Sequence, residues 1–252
     1  MISVVVSARN PVPGSPLERN IKKTIGTENE LLIIKNSGGE VSLSSVYNFG
    51  LSKAKGEIVV FMHDDLFFMR PDWGLVLQDK FLKNPYLGVV GLAGTQYLHA
   101  DNYSWTSAGR PYLKGQLLYH FENGDFFATL FSDQKGDFEV VCCTGVFMAV
   151  RSEVFASARF DEDNFDDFYF HDLDFCMQVR NNWRIMVTTD ILAKHCSPGS
   201  FGKQYHLYGS RFMNKHLGSL PASCAETSPD SDNYVPVKCV NLKGKMSHSI
   251  IV

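Results

Sequence analysis

Ile58-Val59-Val60-Phe61-Met62-His63-Asp64-Asp65 is an apolar run that stops abruptly at a histidine and two carboxylates. Its β-branched and aromatic residues do not alternate with polar ones, which suits a strand buried on both faces of a parallel sheet. In open α/β sheets ligands bind beyond the carboxyl ends of the strands, so the place where the run stops makes His63, Asp64 and Asp65 candidate site residues. A hard divalent cation such as Mg2+ or Mn2+ uses few carboxylates and completes its shell with water and substrate phosphates, a task that Asp65 suits. The same residues also read as an Asp-rich turn that satisfies its own backbone.

On either side of this run the pattern repeats. Residues 2–6 and 31–34 are apolar runs of the same kind, and over residues 42–54 Leu43, Val46, Tyr47, Gly50 and Leu51 fall on one helical face. The order strand, helix, strand predicts an α/β fold with a mostly parallel, open, doubly wound sheet flanked by helices. Pro71 introduces a helical stretch over 72–82, Asn84-Pro85 breaks it, and residues 88–92 form another strand. Residues 93–137, rich in Gly, Tyr, Phe and Asp, read as irregular loops or a small hairpin insertion. Residues 140–150 read as a strand, 152–157 as a helix, 172–183 as an amphipathic segment and 184–188 as a strand. The tail from Leu217 reads as a C-terminal wrap or extension.

With 252 residues and 44% apolar content, the chain is long enough for one substantial core. A net charge of -3, from 24 basic and 27 acidic residues, excludes the basic surface that a nucleic acid requires. The N-terminus lacks a signal-peptide pattern and no apolar run reaches the length of a membrane span, which implies a cytoplasmic protein. The six cysteines show neither CxxC pairing nor the density of a disulfide scaffold, so they read as buried free thiols rather than zinc ligands.

Two more stretches carry chemistry. Phe168-Tyr169-Phe170-His171-Asp172-Leu173-Asp174 sets carboxylates at the start of the amphipathic segment. A carboxylate there can serve as a general base, although acidic residues in a first helical turn also arise simply from capping and the macrodipole. Lys194-His195-Cys196-Ser197-Pro198-Gly199-Ser200-Phe201-Gly202 follows a strand with a histidine and a small-residue loop. Imidazole is a common metal ligand and such a loop offers N–H groups to a diphosphate, but a single loop histidine is as readily structural.

Taken in order, six pieces resemble the family 2 glycosyltransferases, in a form with a His-x-Asp version of the metal motif. They are residues 2–10, then Tyr47-Asn48-Phe49-Gly50 with residues 54–57, then His63-Asp64-Asp65, residues 144–151, His171-Asp172-Leu173-Asp174, and His195-Cys196-Ser197-Pro198-Gly199. The resemblance covers about residues 1–205. It implies a GT-A fold over residues 1–215, with a nucleotide-sugar-binding half (1–100), an acceptor-binding and catalytic half (101–215) and a C-terminal extension (216–252). It further implies an inverting transfer from a nucleotide-sugar, with a UDP-sugar favoured, to a hydroxyl of a glycan, lipid-linked or other acceptor. Peripheral membrane contact is compatible with such an acceptor. The implied nucleotide-binding residues are Ser7, Ala8, Arg9, Asn36, Asn48 and Asp64; the implied ligands of Mn2+ or Mg2+ are Asp65, His63 and His195. Asp172 takes the place of the catalytic base, with His171, where the family has Glu, as a second candidate. Lys35-Asn36 stands where the family often has an acidic pair, and His63 where it has its first Asp. Phe147, Tyr169 and Trp183 fit either substrate pockets or core. A catalytically inactive nucleotide-sugar or carbohydrate binder, or a sugar-nucleotide nucleotidyltransferase, are the alternatives; the second lacks its usual Gly-rich basic loop after the first strand.

Overall fold

In the computed structural model, which describes residues 1–197, 199–230 and 233–242, three strands lie side by side. They are β1 (Ile2–Ala8), β2 (Asn29–Lys35) and β3 (Ile58–His63). β1 runs parallel to both neighbours, with Ser7 opposite Ile34 on one side and His63 on the other. Two helices make the crossovers, α1 (Pro16–Thr24) and α2 (Leu43–Leu51). Each begins at a serine cap: Ser15 Oγ accepts the N–H of Glu18, and Ser42 Oγ accepts that of Ser45. Gly50 lets α2 lie directly on β1, because a side chain there would collide with Val5.

The chain continues through β4 (Leu66–Phe68), α3 (Trp73–Lys83) and β5 (Leu87–Gly91) into β6 (Ala93–Thr95), β7 (Tyr97–Leu98), β8 (Leu113–His120) and β9 (Phe126–Leu130). Then come β10 (Asp137–Val140), β11 (Cys142–Cys143), β12 (Phe147–Arg151), α4 (His171–Val179), β13 (Arg184–Thr188), β14 (Ala193–His195) and α5 (Lys203–Lys215). β15 (Ala222–Ser223) and β16 (Lys238–Asn241) complete the described elements.

The main sheet has the order β10-β13-β5-β12-β3-β1-β2. β2, β1, β3, β5 and β13 point one way, while β12, inserted between β3 and β5, and β10 at the edge run antiparallel. Side chains alternate across it: Val5, Val59 and Phe61 meet α2 and α4 on one face, and Val4, Val6, Val60 and Met62 meet α1 and α3 on the other. The expected α/β, mostly parallel architecture is what forms.

Residues 93–137 are more regular than the sequence suggests. They supply β6 to β9, and a second sheet assembles in the order β11-β6-β8-β14-β4, with β9 on β8 and β16 on β9. Residues 140–150 are not one strand, because the N–H groups of Val141 and Thr144 leave the main sheet to bond Thr95 and Ala93. The segment after α5 lies along the second sheet, β15 on β7 and β16 on β9, and its residues 231–232 and 243–252 lie outside the described residues. Cys142, Cys143 and Cys176 are buried free thiols as expected, but Cys224 and Cys239 are exposed and Cys196 is half-buried. Among the described residues no helix is long and apolar enough to cross a membrane.

Candidate active site

β3 ends at His63, and the turn into β4 carries Asp64 and Asp65. β14 pairs antiparallel with β4 so that His195 stands opposite Leu66, and the Cys196 N–H donates to the Asp65 carbonyl at 3.1 Å. That register brings together residues 132 positions apart: His195 Nε2 lies 3.2 Å from Asp65 Oδ1 and 3.4 Å from His63 Nδ1. His63 Nδ1 is 4.0 Å from Asp65 Oδ1, and Ser197 Oγ is 3.3 Å from His195 Nε2.

The donor set fits a cation. With metal–ligand distances of about 2.1 Å, neighbouring ligand atoms stand roughly 3.0–3.4 Å apart and opposite ones about 4 Å, and the three atoms here all lie within 4.8 Å of one another. Burial, and then the neighbouring His195, push His63 down to about 3, against the pull of Asp65, so the imidazole is neutral, the form that ligates a metal. Burial works to raise Asp65, but the contacts and charges of His195, His63 and Ser197 outweigh it and hold the carboxylate below its usual value. The Tyr119 and His195 rings pack edge-to-face with centroids 5.7 Å apart, and His195 Nδ1 is buried without a partner among the described residues.

Beside this cluster α4 begins. Phe170 precedes it in left-handed backbone (φ 63°, ψ 3°), a sparsely populated conformation for an aromatic residue. The Asp172 carboxylate accepts the Gly145 N–H at 2.6 Å and the Leu173 N–H at 2.9 Å. His171 Nδ1 donates to the Phe168 carbonyl at 2.9 Å, which leaves the lone pair on a buried Nε2 that has no partner among the described residues. Burial lowers the His171 pKa, with the Asp172 charge opposing it. Asp174 is structural: fully buried, it meets Lys215 Nζ at 2.6 Å and His216 Nε2 at 2.7 Å and accepts from Gln178 at 2.8 Å. The cluster and the start of α4 meet through Phe168, whose ring lies 5.3 Å from that of His63 and 6.4 Å from that of His171.

Ser7, Ala8, Arg9, Asn36 and Asp64 gather at the adjoining ends of β1, β2 and β3. The Asn36 N–H bonds the Ala8 carbonyl at 2.9 Å, and the Asn36 side chain closes its own turn on Val41. Burial and the Asp65 charge raise Asp64, against hydrogen bonds from the backbone of Arg9 and its own. Asn48 is not brought to this group. Its amide spans to Phe160 O at 2.8 Å and Glu162 at 2.6 Å, holding α2 to that segment.

Of the three aromatics, Phe147 is core between Phe68 and Trp73, and Trp183 packs on Gly88; only Tyr169 borders the site, against Phe168 and Tyr205. Pro198 of the small-residue loop lies outside the described residues. Tyr47, Tyr119, Ser197, Phe168 and Tyr205 also lie beside these groups; Tyr47, Phe168 and Ser197 fall in stretches the sequence singled out without a role of their own, whereas Tyr119 and Tyr205 carried no local signal. Two surface concavities, one bordered by Pro11, Glu18 and Leu31 and the other by Asn48, Phe155 and Arg159, do not include the cluster, so the donor groups rather than concavity locate the site.

Residues 16–214 match the model of a glycosyltransferase-like family. No curated protein sequence matches the chain. A structure of GalNAc-T7 with UDP, GalNAc and Mn2+ is similar with a TM-score of 0.53 at 11% identity, over 78% of this chain and 44% of that one. The mannosyltransferase PcManGT from Pyrobaculum calidifontis, in complex with GDP-Man and Mn2+, has a TM-score of 0.47 at 15% identity, over 84% of this chain and 60% of that one. This chain therefore spans less than two thirds of either. A197 from STIV, with a TM-score of 0.46 at 15% identity, is covered over 85% of its length by 78% of this chain. At 11% identity the likeness to GalNAc-T7 is one of fold, the GT-A fold.

Proposed function

The chain belongs to the glycosyltransferase-like family, and on that premise we propose that it moves a sugar from a nucleoside-diphosphate sugar to an acceptor hydroxyl with inversion at the anomeric carbon. The observation that carries this reading is the convergence of Asp65, His63 and His195 on one point, with the Phe168 ring linking His63 to His171, the neighbour of Asp172. Asp65, His195 and His63 would hold Mn2+ or Mg2+, which when bound neutralises charge developing on the diphosphate leaving group.

Asp172 accepts the proton of the acceptor hydroxyl as that oxygen bonds the anomeric carbon and the carbon–diphosphate bond breaks. Each Asp172 oxygen keeps a lone pair beyond its backbone bonds, and the Gly145 N–H fixes the orientation of the carboxylate. Ser7, Ala8, Arg9, Asn36 and Asp64 border the donor's base and ribose, with uridine favoured, and Asn48 contributes by fixing α2. Residues 1–100 thus form the donor half and 101–215 the acceptor half. The exposed rings of Phe168 and Phe201, joined to Tyr169 and Tyr205, give the acceptor side apolar faces for a sugar ring.

Asp172→Asn is expected to lower turnover at least a hundredfold while leaving nucleotide affinity within about twofold. Full transfer by this variant would remove Asp172 from the base role.

A further inference from the structure

A succession of aromatic rings starts at the metal-type cluster. Phe168 lies 5.3 Å from His63 between ring centroids; it packs on Tyr169 at 5.4 Å, Tyr169 on Tyr205 at 5.8 Å, and Tyr205 on Phe201 at 5.1 Å. The end rings are open to solvent, Phe168 by 47% and Phe201 by 67%, and the two tyrosines between them are half-buried. Phe170, buried against Tyr205 and Phe212, backs them from the core. A single exposed ring needs no explanation, but two joined through further rings to a candidate site form a contact surface.

The chemistry of this surface suits carbohydrate. The C–H face of a pyranose is apolar and stacks on an aromatic ring, while its hydroxyls need hydrogen-bonding groups at the rim. Such groups are present: Gln204 donates to the Asp167 carboxylate at 3.2 Å, and Tyr103 Oη pairs with His206 Nδ1 at 2.6 Å. An anionic membrane surface or a lipid diphosphate would instead call for clustered basic residues. Over residues 166–170 and 199–206 Lys203 is the single Lys or Arg, set against Asp166 and Asp167. Phe168 and Phe201 stand three ring contacts apart, so a ligand that covers both is longer than one sugar.

We propose that Phe168, Tyr169, Tyr205 and Phe201 form a platform for an oligosaccharide acceptor, with its reacting end at Phe168 and its following sugars toward Phe201. The acceptor role rests on the glycosyltransferase reading; the binding of an oligosaccharide does not.

The test titrates the whole chain calorimetrically, without donor, with glucan, mannan and chitin oligosaccharides of one to six sugars, and separately with UDP and GDP in the presence of Mn2+. Affinity for an oligosaccharide is expected to rise with length and then level off. It should fall roughly three- to tenfold in Phe201→Leu but not in Phe201→Tyr, which keeps the ring. Because Phe201 is largely exposed, both variants should melt like the parent. No binding of any oligosaccharide, affinity independent of length, or equal affinity in Phe201→Leu would overturn the platform, whatever the nucleotides do. Cosedimentation with phosphatidylglycerol vesicles that Phe201→Leu weakens, without oligosaccharide binding, would make the patch a membrane face and overturn it as well. Length-dependent oligosaccharide binding by a chain that binds neither nucleotide would support the platform as a carbohydrate site and contradict the transferase reading alone.

Discussion

Gly145→Ala should damage both stability and chemistry. A Cβ at this position would stand 2.7 Å from His171 Nε2, 3.0 Å from Asp172 Cβ and 3.1 Å from Asp172 Oδ2, closer than side-chain carbons are normally found. Gly145 is not among the positive-φ glycines, so alanine meets no backbone penalty and the effect is contact alone. Relief requires the first turn of α4 to retreat, but Asp174 two residues on is fixed to Lys215 and His216. Overpacking of this kind costs about 1–3 kcal/mol, and giving up the charge-assisted bond from the Gly145 N–H to Asp172 about 1.5–3 kcal/mol. Because retreat exchanges one for the other, a loss of about 2–3 kcal/mol is expected, or roughly 5–10 °C in a chain of this size. A base displaced by about 1 Å lowers turnover roughly a hundredfold. Thermal unfolding and sugar-nucleotide turnover measure the two effects. Parental stability together with parental turnover would refute the packing of Gly145 against Asp172.

Asp174→Asn should cost about 3 kcal/mol in urea unfolding, since it leaves Lys215 and His216 against a neutral buried amide; an unchanged midpoint would mean that Asp174 is not the anchor of α4. Asp161, although burial opposes it, is held down to about 2 from an ordinary 3.8 by Lys215 and Asn164. A depressed carboxylate stabilises above its unfolded value and loses that contribution as pH falls through its folded one. The stability gap between the protein and Asp161→Asn should therefore be open at pH 6 and close between about pH 4 and 2; a gap independent of pH would contradict the ion pair. His195→Ala should weaken Mn2+ binding at least tenfold, read by calorimetry with the metal alone, and equal affinity would remove His195 from the site.

The central strands were legible because burial on both faces leaves nearly continuous apolar runs, as at residues 2–6, interrupted by Ser3 alone, and 58–62. α2 carried an apolar face at helical spacing, and α3 was bracketed by Pro71 and the Asn84-Pro85 break. α1 passed unread although Ser15, Pro16 and Glu18 form a clear start signal, because most of its residues are polar and few reach the core. Residues 93–137 hid their strands for another reason. β8 contains Gly115 in left-handed backbone (φ 97°) pressed against Leu92, and that irregularity breaks the alternation by which a strand is recognised. The metal-type cluster depended on order along the chain, since only the β14–β4 register brings His195 to Asp65. Separating the two carboxylates of α4 lay beyond the sequence. Asp174 differs from Asp172 by what α5 places over it, and nothing local announces Lys215 or His216.

The central claim is that the cluster of Asp65, His63 and His195 binds the diphosphate of a sugar donor through a divalent cation. Calorimetric titration of the whole chain with UDP, GDP, CDP and dTDP, each with and without Mn2+, tests it most directly. Selective binding of one nucleotide that requires Mn2+, and that Asp65→Ala abolishes, is the expected result. Tight binding that is indifferent to the metal and to Asp65, or no binding of any nucleotide, would contradict it.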